Sequence, residues 1–210
     1  MAGTLSDPVE MGLVKSLARP GGNVTGIQNI GWELAGKRLQ LLKQFVPHAK
    51  RVTALADPQQ GSTPRELELL GKVAPALGLE LAPVMIGDVD AIDATIDKLV
   101  PDALLTTHAS RLLNGRKKIL ASAAKRRVPV IGHRGQMADD GALLAYSSRL
   151  TDQIRRSAQL VDRVLRGANP AEIPVEQPTR FELVLNLKTA KALRLDIPDQ
   201  LLIQVDRVIQ

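Results

Sequence analysis

The stretch RVTALADPQQGSTPRELELLGKV, residues 51–73, reads as a strand, a loop and a helix in succession. Arg51–Ala56 is a short apolar run, which predicts a buried strand. Asp57–Gly61 holds turn-forming residues, and Ser62 or Thr63, followed by a proline, marks the start of a helix. An apolar strand followed at once by an amphipathic helix is the building unit of α/β folds with parallel sheets.

The same alternation continues on both sides of this stretch. Upstream, Trp32–Phe45 places apolar residues on one face of a helix. Downstream, the helix Thr63–Leu77 has a kink or an early end at Pro75, and the strand Leu79–Ile86 contains Pro83, which indicates a sheet edge or a bulge. The further predicted elements are helix Val89–Leu99, strand Ala103–Thr107, helix Leu112–Arg126, strand Val128–Ile131, strand Leu143–Ser147 and helix Asp152–Leu165. Together they predict an α/β fold, a doubly wound parallel sheet with ligand loops at the carboxyl ends of its strands.

The two ends of the chain carry weaker patterns. Pro8–Leu17 is predicted as a helix capped by Asp7, and Asn23–Ile27 as a strand after a glycine turn. Prolines make the chain before residue 181 extended rather than helical. The last predicted elements are strand Phe181–Leu185, a short helix over Leu187–Leu195 and an amphipathic helix over Pro198–Ile209.

The composition is that of an ordinary globular domain, with 44% hydrophobic and 24% charged residues among 210. Aromatic residues make up only 2%, so the core must be aliphatic. There are no cysteines, which excludes disulfides, thiolate metal sites and a cysteine nucleophile. No apolar run approaches the roughly 18–20 residues of a membrane span, and the first residues lack the pattern of an export signal.

The net charge of +6 favours anionic partners only weakly. The densest basic stretch is RKKILASAAKRR, residues 116–127, with six basic residues and no acidic one. It reads either as the solvated face of a helix, with Ile119, Leu120 and Ala123 turned inward, or as a nucleic-acid patch. Because it lacks aromatic residues that would stack on bases, the first interpretation is preferred and no nucleic-acid partner is predicted.

The sequence offers no constellation typical of an enzyme. His48, His108 and His133 are far apart and show no metal-binding spacing. Nucleotide-binding glycine loops and the GxSxG elbow of hydrolases are absent. The pair Asp139–Asp140 precedes a glycine and reads as a turn rather than as an acid–base pair. We therefore predict no catalytic residue, no metal, no cofactor and no enzymatic activity.

The candidate binding residues follow from the geometry of a parallel sheet. Loops after successive strands converge at its carboxyl edge, so their polar side chains meet there. These loops carry Asp57, Gln59, Gln60, Thr107, His108, His133, Arg134, Tyr146 and Ser147. One aromatic ring among hydrogen-bonding groups suits a small polar ligand. Ordinary explanations for these residues stay open. Asp57 can form a turn or cap a helix, and the histidines can be solvated loop residues. Tyr146 can be a buried ring whose hydroxyl contacts water.

Four stretches resemble the ABC-transporter substrate-binding proteins of the tryptophan/tyrosine-binding type. They are DPVEMGLVKSLARPGGNVTGI (7–27), ELAGKRLQLLKQFVPHAKRVTALADP (33–58), VPVIGHRGQMADDGALLAYS (128–147) and IPVEQPTRFELVLNLKTAKALRLDIPDQLL (173–202). The resemblance covers nearly the whole chain, and the last stretch is the most specific.

The resemblance implies a type I periplasmic-binding-protein fold, in which a small solute such as an amino acid is clamped between two lobes. It implies that residues 1–30 are a remnant of the first lobe, 31–148 the complete second lobe and 149–210 the C-terminal return to the first. By position, the residues on loops facing the cleft are Asp7, Asp57, Thr107, His133 and Tyr146. An ABC permease is the implied partner, and an exported, periplasmic location is implied.

Two departures from the family pattern matter. The loop after the Arg51 strand commonly carries asparagine where this chain has Asp57, whose charge favours a cationic group on the ligand or caps the next helix. The signal peptide and the βα units that precede DPVEMGLV in the family are absent from this sequence, which leaves strand edges and apolar helix faces uncovered. Three explanations compete: a fragment, a truncated product that is cytoplasmic if native, and a dimer that completes itself. We expect a homodimer.

Two other function classes stay open beside the non-enzymatic solute-binding hypothesis. The effector-binding domain of a transcription regulator shares the lobe architecture and would explain a chain without a signal, but it needs a DNA-binding headpiece. A nucleotide-using α/β enzyme is disfavoured by the missing phosphate loops. Solute binding is therefore the leading hypothesis.

Overall fold

The computed structural model describes residues 7–210 and the backbone of residues 2–5. It divides into two compact units, each assembled from separate parts of the chain. Unit 1 comprises Met1–Ile30 and Ser148–Phe181, and unit 2 comprises Gly31–Ser147 and Glu182–Gln210. Within residues 7–210, none of the helices combines the length and the apolar character that crossing a membrane requires.

The elements alternate along most of the chain. The strands are β1 Ala2–Leu5, β2 Thr25–Gln28, β3 Arg51–Ala56, β4 Glu80–Met85, β5 Ala103–Thr106, β6 Val130–Gly132, β7 Leu144–Ser148, β8 Phe181–Asn186 and β9 Arg207–Ile209. The helices are α1 Ala35–Phe45, α2 Thr63–Val73, α3 Ile92–Ile96, α4 Ser110–Asn114, α5 Arg116–Lys125, α6 Gly135–Asp139, α7 Leu150–Leu165, α8 Leu187–Ala192 and α9 Asp199–Leu202. Short 3-10 helices cover Pro75–Leu77 and Pro170–Glu172.

Unit 2 is built on a seven-stranded sheet of order β4-β3-β5-β6-β7-β8-β9. The pairs β3–β4, β3–β5, β5–β6, β6–β7 and β8–β9 are parallel. β8 runs antiparallel to β7, since the Asn186 N–H donates to the Leu143 carbonyl while the Arg149 N–H donates to the Arg180 carbonyl. The predicted α/β class with a predominantly parallel sheet is confirmed, and only the direction of the last two strands departs from it.

Two aliphatic cores cover the two faces of this sheet. Ala54 and Leu105 point into one core, with α1 and α2 packed over it. Their neighbours Leu55 and Leu104 point into the other, which α3 and α5 cover. Successive residues of a strand point to opposite faces, so each apolar strand supplies both cores. Helices on both faces make the sheet doubly wound.

The carboxyl ends of β3, β5 and β6 lie side by side because these strands are parallel neighbours. The loops that follow them begin at Asp57, Thr107 and His133. α1 precedes β3 and α2 follows it, so each of these helices has its first turn at this same edge. The carboxyl edge of unit 2 therefore gathers three loops and two helix starts.

Unit 1 holds β1 and β2 as a parallel pair. The Gln28 N–H donates to the Glu176 carbonyl at 2.7 Å, and the Glu176 N–H donates to the Gly26 carbonyl at 2.9 Å. The strand predicted over Asn23–Ile27 thus forms as β2. It is flanked by β1 on one side and by the segment at Glu176 on the other. Ile27, Leu160 and Ile173 make a small core beneath it.

Two predicted helices at the chain ends are wrong. Pro8–Leu17 forms successive turns, because Gly12 adopts a φ of +67° that interrupts a right-handed helix. The expected helix Pro198–Ile209 is a single turn, α9, followed by β9. Asp206 joins β9 to the sheet: its carboxylate accepts the Leu183 N–H at 2.8 Å, and its own N–H donates to the Leu183 carbonyl at 3.0 Å.

The middle of the chain follows the predicted pattern more closely. β3 has the predicted bounds, α2 ends before Pro75, and Pro83 lies in β4 at the edge of the sheet. The helix predicted over Leu112–Arg126 is divided into α4 and α5 at Gly115, where a Cβ would lie 2.4 Å from Ile92 Cδ1. The stretch after β6, expected as a loop and turn, forms α6.

The C-terminal segment differs from the expected domain boundaries. A return of 149–210 to the first lobe was expected, but unit 1 takes back only Ser148–Phe181. Glu182–Gln210 stays in unit 2, because β8 and β9 extend its sheet beyond β7.

Truncation of the buried sheet core should destabilise the protein strongly. Leu105 is fully buried in the core under α1 and α2, so Leu105→Ala is expected to lower the free energy of unfolding by roughly 2–5 kcal/mol. Val100 is 69% exposed, and Val100→Ala is expected to change it by less than about 0.5 kcal/mol. Urea unfolding followed by circular dichroism measures both; equal losses would contradict this core.

Candidate ligand-binding site

A buried ion pair lies at the carboxyl edge of unit 2. Arg38 Nη2 donates to Glu66 Oε1 at 2.7 Å and to the Gly31 carbonyl at 3.0 Å, and both charged side chains are fully buried. Arg38 comes from the first turn of α1 and Glu66 from the first turn of α2. Burying two charges is costly, and the attraction and hydrogen bond between them offset part of that cost. The pair therefore fixes the starts of both helices.

Glu66 also holds the loop after β5. The backbone N–H of His108 donates to both Glu66 carboxylate oxygens, at 3.1 Å and 2.9 Å. Burial raises the pKa of Glu66 to about 7, although the charge of Arg38 and the hydrogen bond from His108 act in the opposite direction. One carboxylate thus connects α1, α2 and the β5 loop.

The His108 ring is held as a neutral hydrogen-bond acceptor. Arg134 Nη2 lies 3.2 Å from His108 Nε2, and a guanidinium can only donate, so Nε2 carries the lone pair. Burial lowers the pKa of His108 to about 3, and the charges of Arg134 and Arg38 act in the same direction. The ring also packs against Gly31, where a Cβ would lie 2.1 Å from His108 Cδ2.

His133 is a second neutral imidazole beneath the first. Its Nδ1 lies 2.9 Å from Thr106 Oγ1, and its ring meets that of His108 edge to face with centroids 5.5 Å apart. Burial lowers the pKa of His133 well below its ordinary value, and the neighbouring His108, Arg38 and Arg134 add to the effect. Neither histidine brings charge to the site at neutral pH.

Around the two histidines the site carries more positive than negative charge. Arg38 and Arg134 contribute two cations, and Glu66 is the carboxylate that faces them. Burial raises the pKa of the Tyr146 hydroxyl, the charge of Asp206 acts in the same direction, and the charge of Arg38 acts in the opposite direction. Arg38 Nε, Arg38 Nη1 and Thr107 Oγ1 are buried and have no hydrogen-bond partner among the described residues. Such an arrangement favours an anionic group on a ligand.

Arg134 is the cation that a ligand can reach. It is partly exposed, whereas Arg38 is buried. Its one hydrogen bond to the described residues goes to His108, which leaves most of its five N–H donors for other partners. A planar guanidinium binds a carboxylate through two parallel hydrogen bonds. Arg134 is therefore the more accessible of the two cations, and Arg38 is a buried charge close to it.

The structure brings five of the sequence-predicted residues together: Thr107, His108, His133, Arg134 and Tyr146 lie on adjacent strand ends of unit 2. Asp57 and Gln59 form a separate network with Arg111. The Asp57 carboxylate accepts the Gln59 N–H at 2.9 Å and lies 3.2 Å from Arg111 Nε, and Gln59 Oε1 accepts from Arg111 Nη2 at 2.5 Å. These contacts fit the turn role for Asp57.

Asp7 belongs to unit 1, where it organises a turn. Its carboxylate accepts the Glu10 N–H at 3.2 Å, and its carbonyl accepts the Met11 N–H at 3.0 Å. The helix that it was expected to cap does not form.

Sequence reasoning missed Arg38 and Glu66, although a signal was present. Arg38 lies in the row Ala35, Arg38, Leu42 and Phe45, whose other members are apolar and buried. Glu66 lies four residues before the buried Leu70 on α2. A basic and an acidic residue on the buried stripes of two consecutive helices indicate a buried pair. Among residues 7–210, no group of three potential ligands could hold a metal ion.

Gly31 should be intolerant of a side chain. Gly31→Ala would push its Cβ into the His108 ring, and overpacking of this kind costs roughly 1–3 kcal/mol. Gly71 in α2 has open space around its Cα, so Gly71→Ala should be neutral or stabilising by up to about 1 kcal/mol. Thermal unfolding of both variants checks this; equal behaviour would refute the close contact.

Glu66 should make stability depend on pH. Its folded pKa of about 7 exceeds the ordinary 4.5, so its contribution is complete below about 4.5 and is lost as the pH rises through about 7. Glu66→Gln removes this dependence. The difference in unfolding free energy between wild type and Glu66→Gln should therefore fall by up to roughly 3 kcal/mol from pH 4.5 to 7.

The matched control for this measurement is Glu68→Gln, an exposed carboxylate on the same helix. The difference in unfolding free energy between wild type and Glu68→Gln should not fall from pH 4.5 to 7. A pH-independent difference between wild type and Glu66→Gln would contradict the raised pKa.

Comparisons with known proteins agree with this architecture. A curated tyrosine-binding protein of Clostridioides difficile is 27% identical over 191 residues, which cover 90% of this chain and 55% of that protein. The chain thus spans about half the length of this curated relative. A crystal structure of an ABC domain from Streptococcus pneumonia, in complex with L-Trp, superposes with a TM-score of 0.85 at 26% identity. It covers 98% of this chain and 72% of the other.

A transcription regulator is a more distant structural neighbour. A LacI family regulator from Bifidobacterium animalis superposes with a TM-score of 0.63 at 13% identity, covering 87% of this chain and 66% of the other. At this identity the likeness concerns the fold alone. A family model described as ABC transporter substrate binding protein matches residues 1–209. The chain belongs to the family of ABC transporter substrate-binding proteins.

Proposed function

We propose that the carboxyl edge of unit 2 binds the carboxylate of a small aromatic amino acid, of the tyrosine or tryptophan class. The observation that carries this proposal is the surplus of positive charge at Arg38 and Arg134 over Glu66, beside two neutral histidines. A carboxylate would neutralise that surplus through Arg134. Two relatives, a tyrosine-binding protein and an ABC domain in complex with L-Trp, support the choice of ligand class.

The surroundings of Arg134 suit an aromatic side chain. The His108 and Tyr146 rings stand near the two arginines, and both are only partly buried. Aromatic rings contribute large apolar area and favour edge-to-face or offset contacts with another ring. In this proposal Arg134 selects the carboxylate and the rings accept the side chain.

The biological role that follows is solute binding without catalysis. The family consists of binding proteins that serve ABC transporters. We propose that this chain, or the longer protein of which it is part, works outside the cytoplasm and delivers its ligand to an ABC permease. We further propose a homodimer, because α7 exposes Ile154 and Leu165 at 60% and 82%. Light scattering above the chain mass of 22.7 kDa supports the dimer, and a monomer refutes it.

Calorimetry with matched ligands tests the proposed site. L-Tyrosine should bind at least tenfold more tightly than tyramine, which lacks only the carboxylate, because a charge-assisted hydrogen bond contributes about 1.5–3 kcal/mol. Arg134→Met should weaken the binding of L-tyrosine by a similar factor and leave the affinity for tyramine unchanged. Lys125→Met, which removes an exposed cation from α5, should affect neither ligand.

The outcomes separate the competing functions. Equal weakening of both ligands by Arg134→Met, or no binding of either L-tyrosine or L-tryptophan, would overturn the proposal. Binding of ATP alone would favour a nucleotide-using enzyme, and binding of a sugar alone would favour another solute class.

A further inference from the structure

A second surface of unit 2 is not used by the proposed ligand site. A groove with a volume of about 530 Å³ runs between α5 and α8, near the starts of β6 and β7. It therefore opens at the amino edge of these strands, opposite the edge that carries Arg134. Its apolar lining comes chiefly from Leu120, Val128, Val130 and Leu193, with exposed alanines on both helices.

Three unpaired cations border this apolar groove. Lys117, Arg127 and Lys188 line it, are exposed, and form no ion pair with any residue that the structure describes. Asp140, also in the lining, is already paired with Arg116 at 2.6 Å. The groove is thus apolar at its floor and positive at its rim.

The basic stretch of residues 116–127 explains how this charge arises. Arg116 pairs with Asp140, Lys118 pairs with Asp90 at 2.5 Å, and Arg126 donates to backbone carbonyls at the end of α3. Lys117 and Arg127 have no such partner, and both face the groove. The stretch is therefore more than a uniformly solvated helix face.

The spacing of the cations indicates the kind of occupant. α5 has ten residues and spans roughly 15 Å, with Lys117 near its start and Arg127 just beyond its end. A single anionic head group reaches one of these cations. A segment with several carboxylates along one edge is long enough to meet both, and Lys188 lines the same groove from α8.

We propose that this groove docks an amphipathic helix of a partner protein, with apolar residues on its inner face and Asp or Glu residues along its flanks. Apolar anchors at helical spacing would fill the floor, as in other helix-in-groove complexes. The flanking carboxylates would meet Lys117, Arg127 and Lys188. The surface lies apart from the carboxyl edge, so the docking does not rest on the proposed ligand.

NMR titration of the full ¹⁵N-labelled chain tests this docking surface. The probe is a synthetic sixteen-residue helix with leucines at positions i, i+4 and i+7 and glutamates beside them; its twin carries lysine for each glutamate. The acidic peptide should shift amides of α5 and α8, and the lysine twin should not. Shifts confined to other regions, or equal binding of both peptides, would overturn the proposal.

Matched charge reversals sharpen the result. The double variant Lys117→Glu/Lys188→Glu changes one groove cation on each helix. It should weaken the binding of the acidic peptide at least tenfold. Lys125→Glu/Lys191→Glu changes one cation on each helix outside the groove lining and should leave affinity within twofold. Both double variants should bind L-tyrosine as wild type does. If decanoate shifts the groove amides while the acidic peptide does not, a lipid-like anion is the occupant and the helix proposal fails.

Discussion

The buried ion pair between Arg38 and Glu66 is the interaction on which the carboxyl edge of unit 2 depends. The attraction between the two charges offsets part of the cost of burying them. Glu66 accepts the His108 N–H with both oxygens, and Arg38 also donates to the Gly31 carbonyl. The pair therefore ties two helix starts, the β5 loop and the first residue of unit 2 into one network. A ligand that meets Arg134 meets a loop arrangement fixed by these buried contacts.

The electrostatic character of the site follows from burial. Desolvation keeps His108 and His133 neutral and raises the pKa of Glu66 toward 7. The guanidinium groups stay charged because their ordinary pKa is so high. The net charge around the two histidines is therefore positive, and Arg134 is the partly exposed cation. In the proposed function, this exposed guanidinium would select the carboxylate of the ligand.

Much of the central architecture could be predicted from local patterns. The apolar run Arg51–Ala56 formed β3, Pro75 ended α2, and Pro83 marked an edge strand, because each depends on residues close in sequence. The buried stripes of α1 and α2 mark Arg38 and Glu66 as buried charges, but local patterns do not fix the geometry of their contact, since the two residues are 28 positions apart and meet only after the sheet has formed. β9 was missed because a short apolar segment fits a helix and a strand equally well. It becomes a strand only through pairing with Val184–Asn186 of β8, which the local sequence does not show. Asp57 lies at the expected edge of the sheet, but its carboxylate forms an ion pair with Arg111.

The protonation state of His108 is the decisive measurement for this buried, positively charged site. Nitrogen NMR of the ¹⁵N-histidine-labelled chain at pH 5.5 reports whether each ring nitrogen carries a proton. We predict a neutral His108 with its proton on Nδ1 and an unprotonated Nε2 that accepts from Arg134. A doubly protonated His108 at that pH would contradict the buried, positively charged site.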